Sequence, residues 1–222
     1  MKNLRLIFLL LLFINIAFGS SEKKQFLIMI DPAGHAKNVG RKLVEGYERA
    51  QTFKFAQGLQ KGLQDKYGFR VIITRYPGEE IVDLQNASFA NRLNVDFYIN
   101  LNIYRQDSVK PKIFMYHLVY NSMVDLARRT FEPYAFMPIN QAHFANIHTT
   151  RSYAEYTKKS MIQPHYQRWF DFYGLYGVPF KPLAGIAAPA IAIEVGICQE
   201  DKWQIFVDPL VESLGFLHNN GG

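Results

Sequence analysis

The chain has 222 residues, 49% of them hydrophobic, which is ample for a core; with no linker-like segment this predicts one large domain rather than two small ones. Cys198 is the only cysteine, which excludes an intrachain disulfide. The formal net charge of +6 is moderately basic and suits an acidic polymer such as a cell wall or a nucleic acid.

Residues 1–19 read as a secretory signal peptide. Lys2 and Arg5 precede an apolar run from Leu6 to Ile14, and Ala17-Phe18-Gly19 supplies small residues before Ser20. The apolar run is short for a membrane span, so contact with a membrane is expected only through this segment. Losing Lys2 and Arg5 lowers the charge from +6 to +4. Export favours the cell wall over nucleic acid as the acidic partner, and places the remaining chain, 20–222, in the periplasm or cell envelope.

The first strand is predicted at Phe26 to Ile30, an apolar run that stops at Asp31-Pro32-Ala33-Gly34-His35. Ala36 to Glu45 is polar and basic and reads as a loop. From Gly46 the spacing turns helical, with Phe53, Ala56, Leu59, Gln60 and Leu63 on one face and Tyr67-Gly68 as the stop. Phe69 to Thr74 is a second strand, Leu84 to Leu93 a second helix and Asp96 to Leu101 a third strand. That alternation predicts an α/β domain with a mostly parallel, twisted sheet of five or six strands flanked by helices. Lys112 to Val119 reads as a further strand with Pro111 at its start. Val124 to Tyr176 reads as two or three helices broken at Pro133, Pro138 and Pro164. Its many aromatics are read either as core packing or as a stacking surface for sugar rings. Pro179 to Pro189 is loop-like, Ala190 to Glu194 is the last strand, and Asp208 to Leu217 is a closing helix.

Two strand ends carry chemistry. In open α/β sheets, sites form beyond the carboxyl ends of the strands, where Asp31 and His35 fall. Glu194 sits within Ala190-Ile191-Ala192-Ile193-Glu194-Val195-Gly196, and a carboxylate seldom enters so apolar a run without a partner.

Four pieces together resemble the zinc-dependent N-acetylmuramoyl-L-alanine amidases, enzymes that cut peptidoglycan between the lactyl group of muramic acid and the first alanine of the stem peptide. The pieces are Ile28 to His35; the helix start Glu48-Arg49-Ala50; Ala90-Asn91-Arg92 with Asp96 to Asn102; and Pro189 to Gly196. Val71 to Arg75 also matches a family strand ending in Thr-Arg. The resemblance implies one zinc ion held by His35 and Glu48, with Glu194 moving protons for a metal-activated water. Peptidoglycan or muropeptides are the implied substrate.

Two departures fall on the metal set. Asn102 stands where the family has its second histidine ligand, and an amide oxygen is a poor zinc donor. Asp-Pro-Ala-Gly-His also carries one residue more before its histidine than the family's Asp-Pro-Gly-His. His117, on the next strand, is the candidate replacement ligand, subject to strand parity. Asn86 is a smaller departure, at a position where the family has arginine. Two functions therefore stand side by side: an exported amidase, or a catalytically impaired relative that binds peptidoglycan or an envelope partner.

Overall fold

A computed structural model describes residues 25–82, 84–119 and 139–220. The predicted signal peptide lies outside them, as do Phe131, Pro133, Tyr134, Phe136 and Pro138 of the aromatic-rich segment.

Six strands form one sheet: β1 (Leu27–Pro32), β2 (Arg70–Ile73), β3 (Phe97–Arg105), β4 (Lys112–Leu118), β5 (Asp171–Val178) and β6 (Ala190–Ile197). Their spatial order is β2-β1-β3-β6-β4-β5. The β2, β1, β3 and β6 strands run parallel, β4 is antiparallel to β6, and β5 is parallel to β4. Among the described residues the helices are α1 (Glu48–Tyr67), α2 (Gln85–Leu93), α3 (Ile147–Met161), the one-turn α4 (Pro164–Gln167) and α5 (Val207–Asn220). Short 3-10 segments cover Ile139–Asn146, Lys181–Leu183 and Lys202–Phe206. The expected α/β architecture with its mostly parallel sheet is what the chain adopts.

Side chains alternate across a strand, so residue parity sorts the sheet into two faces. Ile28, Ile30, Ile99, Leu101, Ile191, Ile193 and Met115 enter the larger apolar cluster, together with side chains of α1, α3 and α5. Met29, Tyr98, Ala190 and Ala192 face a smaller cluster with Ala87 and Ala90 of α2. The second face is only partly roofed, and the cleft described below opens over it.

Three sequence expectations are corrected. The buried stripe of α1 runs through Thr52, Phe55, Ala56, Leu59 and Leu63; Phe53 lies beside it, half-buried, under the guanidinium of Arg75. Phe55, fully buried, contributes the aromatic the core needs. The third strand runs four residues further than expected, to Arg105, because β6 continues alongside it to Ile197. The end of the aromatic-rich segment is strand β5 rather than helix. Its Gly174 and Gly177 disfavour a helix, and pairing with β4 overrides the short local signal. As a sheet edge it leaves Tyr173 and Tyr176 about half exposed, whereas Tyr153 and Phe170 are core residues.

Candidate functional site

The site begins where β1 stops. Ala33 N–H still pairs with the Leu101 carbonyl, but from there the chain leaves the sheet, and the backbone groups of β3 beyond Leu101 lose their strand partner on that side. Ile103 N–H is one of them. It donates instead to Glu48 Oε1 at 2.9 Å, so the first residue of α1 closes the edge that β1 leaves open. A carboxylate at a helix N-terminus is also favoured by the helix dipole.

Between β1 and α1 the chain folds back tightly, with Lys42 bridged to Tyr47 and Leu43 N–H bonded to the Gly46 carbonyl. Glycine is required at two points. Gly34 has φ +79°, and a Cβ there would lie 2.7 Å from Arg49 Cβ; Gly40 has φ +75°, and a Cβ there would lie 2.8 Å from Glu48 Oε2. The close approach lays Arg41 directly against Glu48.

Arg41 is the centre of the site. Its Nε donates to Glu48 Oε2 at 3.1 Å, Nη2 to Glu48 Oε1 at 2.8 Å, and its backbone N–H to Glu48 Oε2 at 3.0 Å. Its Nη1 donates to Glu194 Oε1 at 2.6 Å. One guanidinium therefore joins the first residue of α1 to the middle of β6. Burial alone disfavours the charge on Arg41, but the hydrogen bonds and negative charges of Glu48 and Glu194 outweigh it and raise its pKa above the ordinary arginine value. Glu194 Oε2 accepts from the Tyr116 hydroxyl at 2.8 Å. Burial and that bond raise the phenol's pKa, so Tyr116 stays a donor.

The floor of the cleft is a polar chain on the same sheet face. Asn102, beside Glu194 in register, donates to Asn100 Oδ1 at 2.6 Å, and Asn100 donates to Asp31 Oδ2 at 2.9 Å. Asp31 also receives Thr74, Asn86 and Tyr98, each at 2.8 Å. Burial raises the Asp31 pKa, opposed by these four hydrogen bonds. Arg75, itself buried, donates to the carbonyls of Pro32, Ala33 and Arg49 and so fixes the loop that carries His35. The cleft encloses about 720 Å³, with Ile81, Leu84 and Phe180 on its apolar wall.

The structure brings His35, Glu48, Asn102 and Glu194 to one cleft. His117 is not among its lining residues. It shares strand parity with Met115, whose side chain enters the larger core cluster on the opposite face, and the charges of Arg151 and Glu155 on α3 act on it. Burial, with Arg151, lowers its pKa. The parity on which its candidacy depended turns it away from Glu194.

The donor set does not fit zinc. A carboxylate offers about four lone-pair positions, and Glu48 already receives four donors, two on each oxygen. The Asn102 NH2 donates to Asn100, which leaves only its amide oxygen, a poor zinc donor, and Nδ1 of His35 is buried without a hydrogen-bond partner. Among the described residues no group of three or more His, Cys, Asp or Glu side chains is placed to hold a metal ion. Arg41 lies in a stretch that reads from sequence as a polar loop, and nothing local in the sequence marks Tyr116. The one local signal was a pair of glycines, Gly34 and Gly40, flanking a loop that leads into a buried acid.

Fold and site together define an open α/β domain with a polar cleft at the ends of its parallel strands. No protein-family model matches the sequence, and no curated relative matches it. Solved structures match in fold. An N-acetylmuramoyl-L-alanine amidase of Nostoc punctiforme aligns with a TM-score of 0.62 at 15% identity, over 87% of this chain and 97% of its own. The catalytic domain of an N-acetylmuramoyl-L-alanine amidase from Bacillus (Paenibacillus) polymyxa aligns at 0.58 and 14%, over 87% and 98%. The amidase from Clostridium difficile 630 aligns at 0.58 and 14%, over 90% and 100%. At such identities the likeness establishes the fold.

Proposed function

We propose that this chain is an exported cell-wall protein that uses an amidase-like cleft to hold the stem-peptide region of peptidoglycan without cutting it by metal-assisted hydrolysis. The observation that carries this reading is the saturation of Glu48: its acceptor positions are filled by Arg41 and the Ile103 N–H, so a ligand meets hydrogen-bonding groups rather than an ion. The cleft is large enough for a short peptide with part of a sugar. Asparagine amides on its floor suit peptide N–H and carbonyl groups, and Ile81, Leu84 and Phe180 offer an apolar wall to alanine methyls. The fold shared with peptidoglycan amidases supports the same ligand class. Among the described residues no helix is long and apolar enough to cross a membrane.

Calorimetric titration of the purified protein with soluble muropeptides tests the reading. Saturable binding is expected, with no release of stem peptides on prolonged incubation. Absence of binding to both muropeptides and intact peptidoglycan overturns it.

A second reading, cleavage between N-acetylmuramic acid and L-alanine, is favoured by one observation. Glu194 keeps a hydrogen-bonded place in the cleft with a tyrosine donor beside it. Stem-peptide release that is lost in Glu194→Ala selects this reading over the first.

A further inference from the structure

Two carboxylates drawn from distant parts of the chain meet on a single planar cation. Glu48 comes from a helix start and Glu194 from the middle of a strand 146 residues later, yet each has an oxygen within 2.8 Å of a guanidinium nitrogen of Arg41. Glu48 is almost fully buried and Glu194 mostly so. Without a cation between them these acids would face each other as unneutralised like charges, an arrangement that either takes up a proton, moves apart or recruits a counter-ion.

We infer that Arg41 is a tethered replacement for a divalent ion: its guanidinium fills a two-carboxylate cation site, and removing it unmasks that site for a hard divalent metal. Three features support this. Arg41 uses its fork on both carboxylates at once, Nε and Nη2 on Glu48 and Nη1 on Glu194, as a bridging ion would. The loop is built to deliver it, since Gly40 admits Arg41 only by lacking a Cβ against Glu48. The cation is also accessible, its side chain 43% exposed, so an ion entering after its removal need not cross the core. Oxygen donors alone select hard cations, so manganese and calcium are the ions of choice rather than zinc.

This inference rests on the metal-free reading of the cleft and deepens it, but its test contains no wall material. Manganese binding is followed by loss of the free-ion EPR signal, with calcium competition, in the wild-type protein, Arg41→Ala and Arg41→Ala/Glu194→Gln. The single variant is expected to bind manganese at least about tenfold more tightly than wild type, as expected when an adjacent positive charge is removed. The double variant is expected to lose that gain. If Arg41→Ala does not fold alone, added manganese is expected to recover its near-UV circular dichroism, and failure to do so counts against the inference. Wild-type protein that binds manganese as tightly as Arg41→Ala, or a folded Arg41→Ala that ignores it, overturns the inference while leaving muropeptide binding untouched. Failure to bind muropeptides leaves the exchange of guanidinium for metal untouched.

Discussion

Replacing each of the two carboxylates by its amide separates a structural acid from a cleft acid. In Glu48→Gln either orientation of the new amide sets its NH2 against two donors, Arg41 Nη2 and Ile103 N–H, or Arg41 N–H and Nε. Each orientation strands one backbone N–H. A buried unmet donor costs about 1–3 kcal/mol. The guanidinium also loses a counter-charge, but its 43% exposed side chain can turn to water, so that loss is discounted to about 1 kcal/mol. The sum is about 2–4 kcal/mol, and 3 kcal/mol corresponds to a fall in Tm of about 6–12 °C for a domain of this size. In Glu194→Gln the amide oxygen keeps Arg41 and the NH2 faces Tyr116, whose hydroxyl can accept as well as donate. The expected cost is under about 1 kcal/mol. Urea unfolding followed by fluorescence and circular dichroism measures both. Equal losses at the two positions, or a loss at Glu48 below about 1 kcal/mol, would refute the assignment of Glu48 as the acid that closes the edge of β3.

Three further outcomes are expected. Gly40→Ala should destabilise by about 2 kcal/mol or more, because it combines a left-handed backbone with a Cβ pressed on Glu48; a thermal melt within about 1 °C of wild type counts against the close approach. Asp31 has a raised pKa in the fold, so the folded state holds the proton more tightly than the unfolded chain, and the carboxyl contributes stability at low pH that is lost as pH rises above about 3.8. The stability difference between wild type and Asp31→Asn should therefore fall as pH rises from 3.8, and a difference that grows over that range contradicts the sign. Chelator should leave the wild-type Tm unchanged, whereas a marked drop on EDTA treatment would reveal a structural metal that the saturated Glu48 does not accommodate.

The motif residues carry a lesson about what a local pattern encodes. Thr74 and Arg75, which match a family strand end, bind Asp31 and the carbonyls of residues 32, 33 and 49. Asn91 clamps the approach to β6, donating to the Gly185 carbonyl and accepting from Ala187 N–H. These residues hold the loops of the site in place, and a sequence can keep them while the centre they surround changes. Glu194 was legible as an acid in an apolar run, and Glu48 only through the family resemblance. Their shared partner was not, because Arg41 lies in a polar stretch with no periodicity and gains its meaning only across 153 residues of chain.

Sequence alone determined the layers of this protein: runs of branched apolar residues alternating with helical spacing leave few ways to bury both faces of a parallel sheet, and those patterns are local. It also singled out a histidine beyond one strand end and a glutamate within the last strand, and, through the family resemblance, a glutamate at a helix start and an asparagine. Tertiary structure decided what they do together. Strand parity sent His117 to the far face, pairing with β4 made a strand of Asp171–Val178, and the termination of β1 freed the Ile103 N–H that Glu48 answers. Each outcome depends on which groups meet in space, and a carboxylate bonds to whatever donor arrives within reach, however far away along the chain it began.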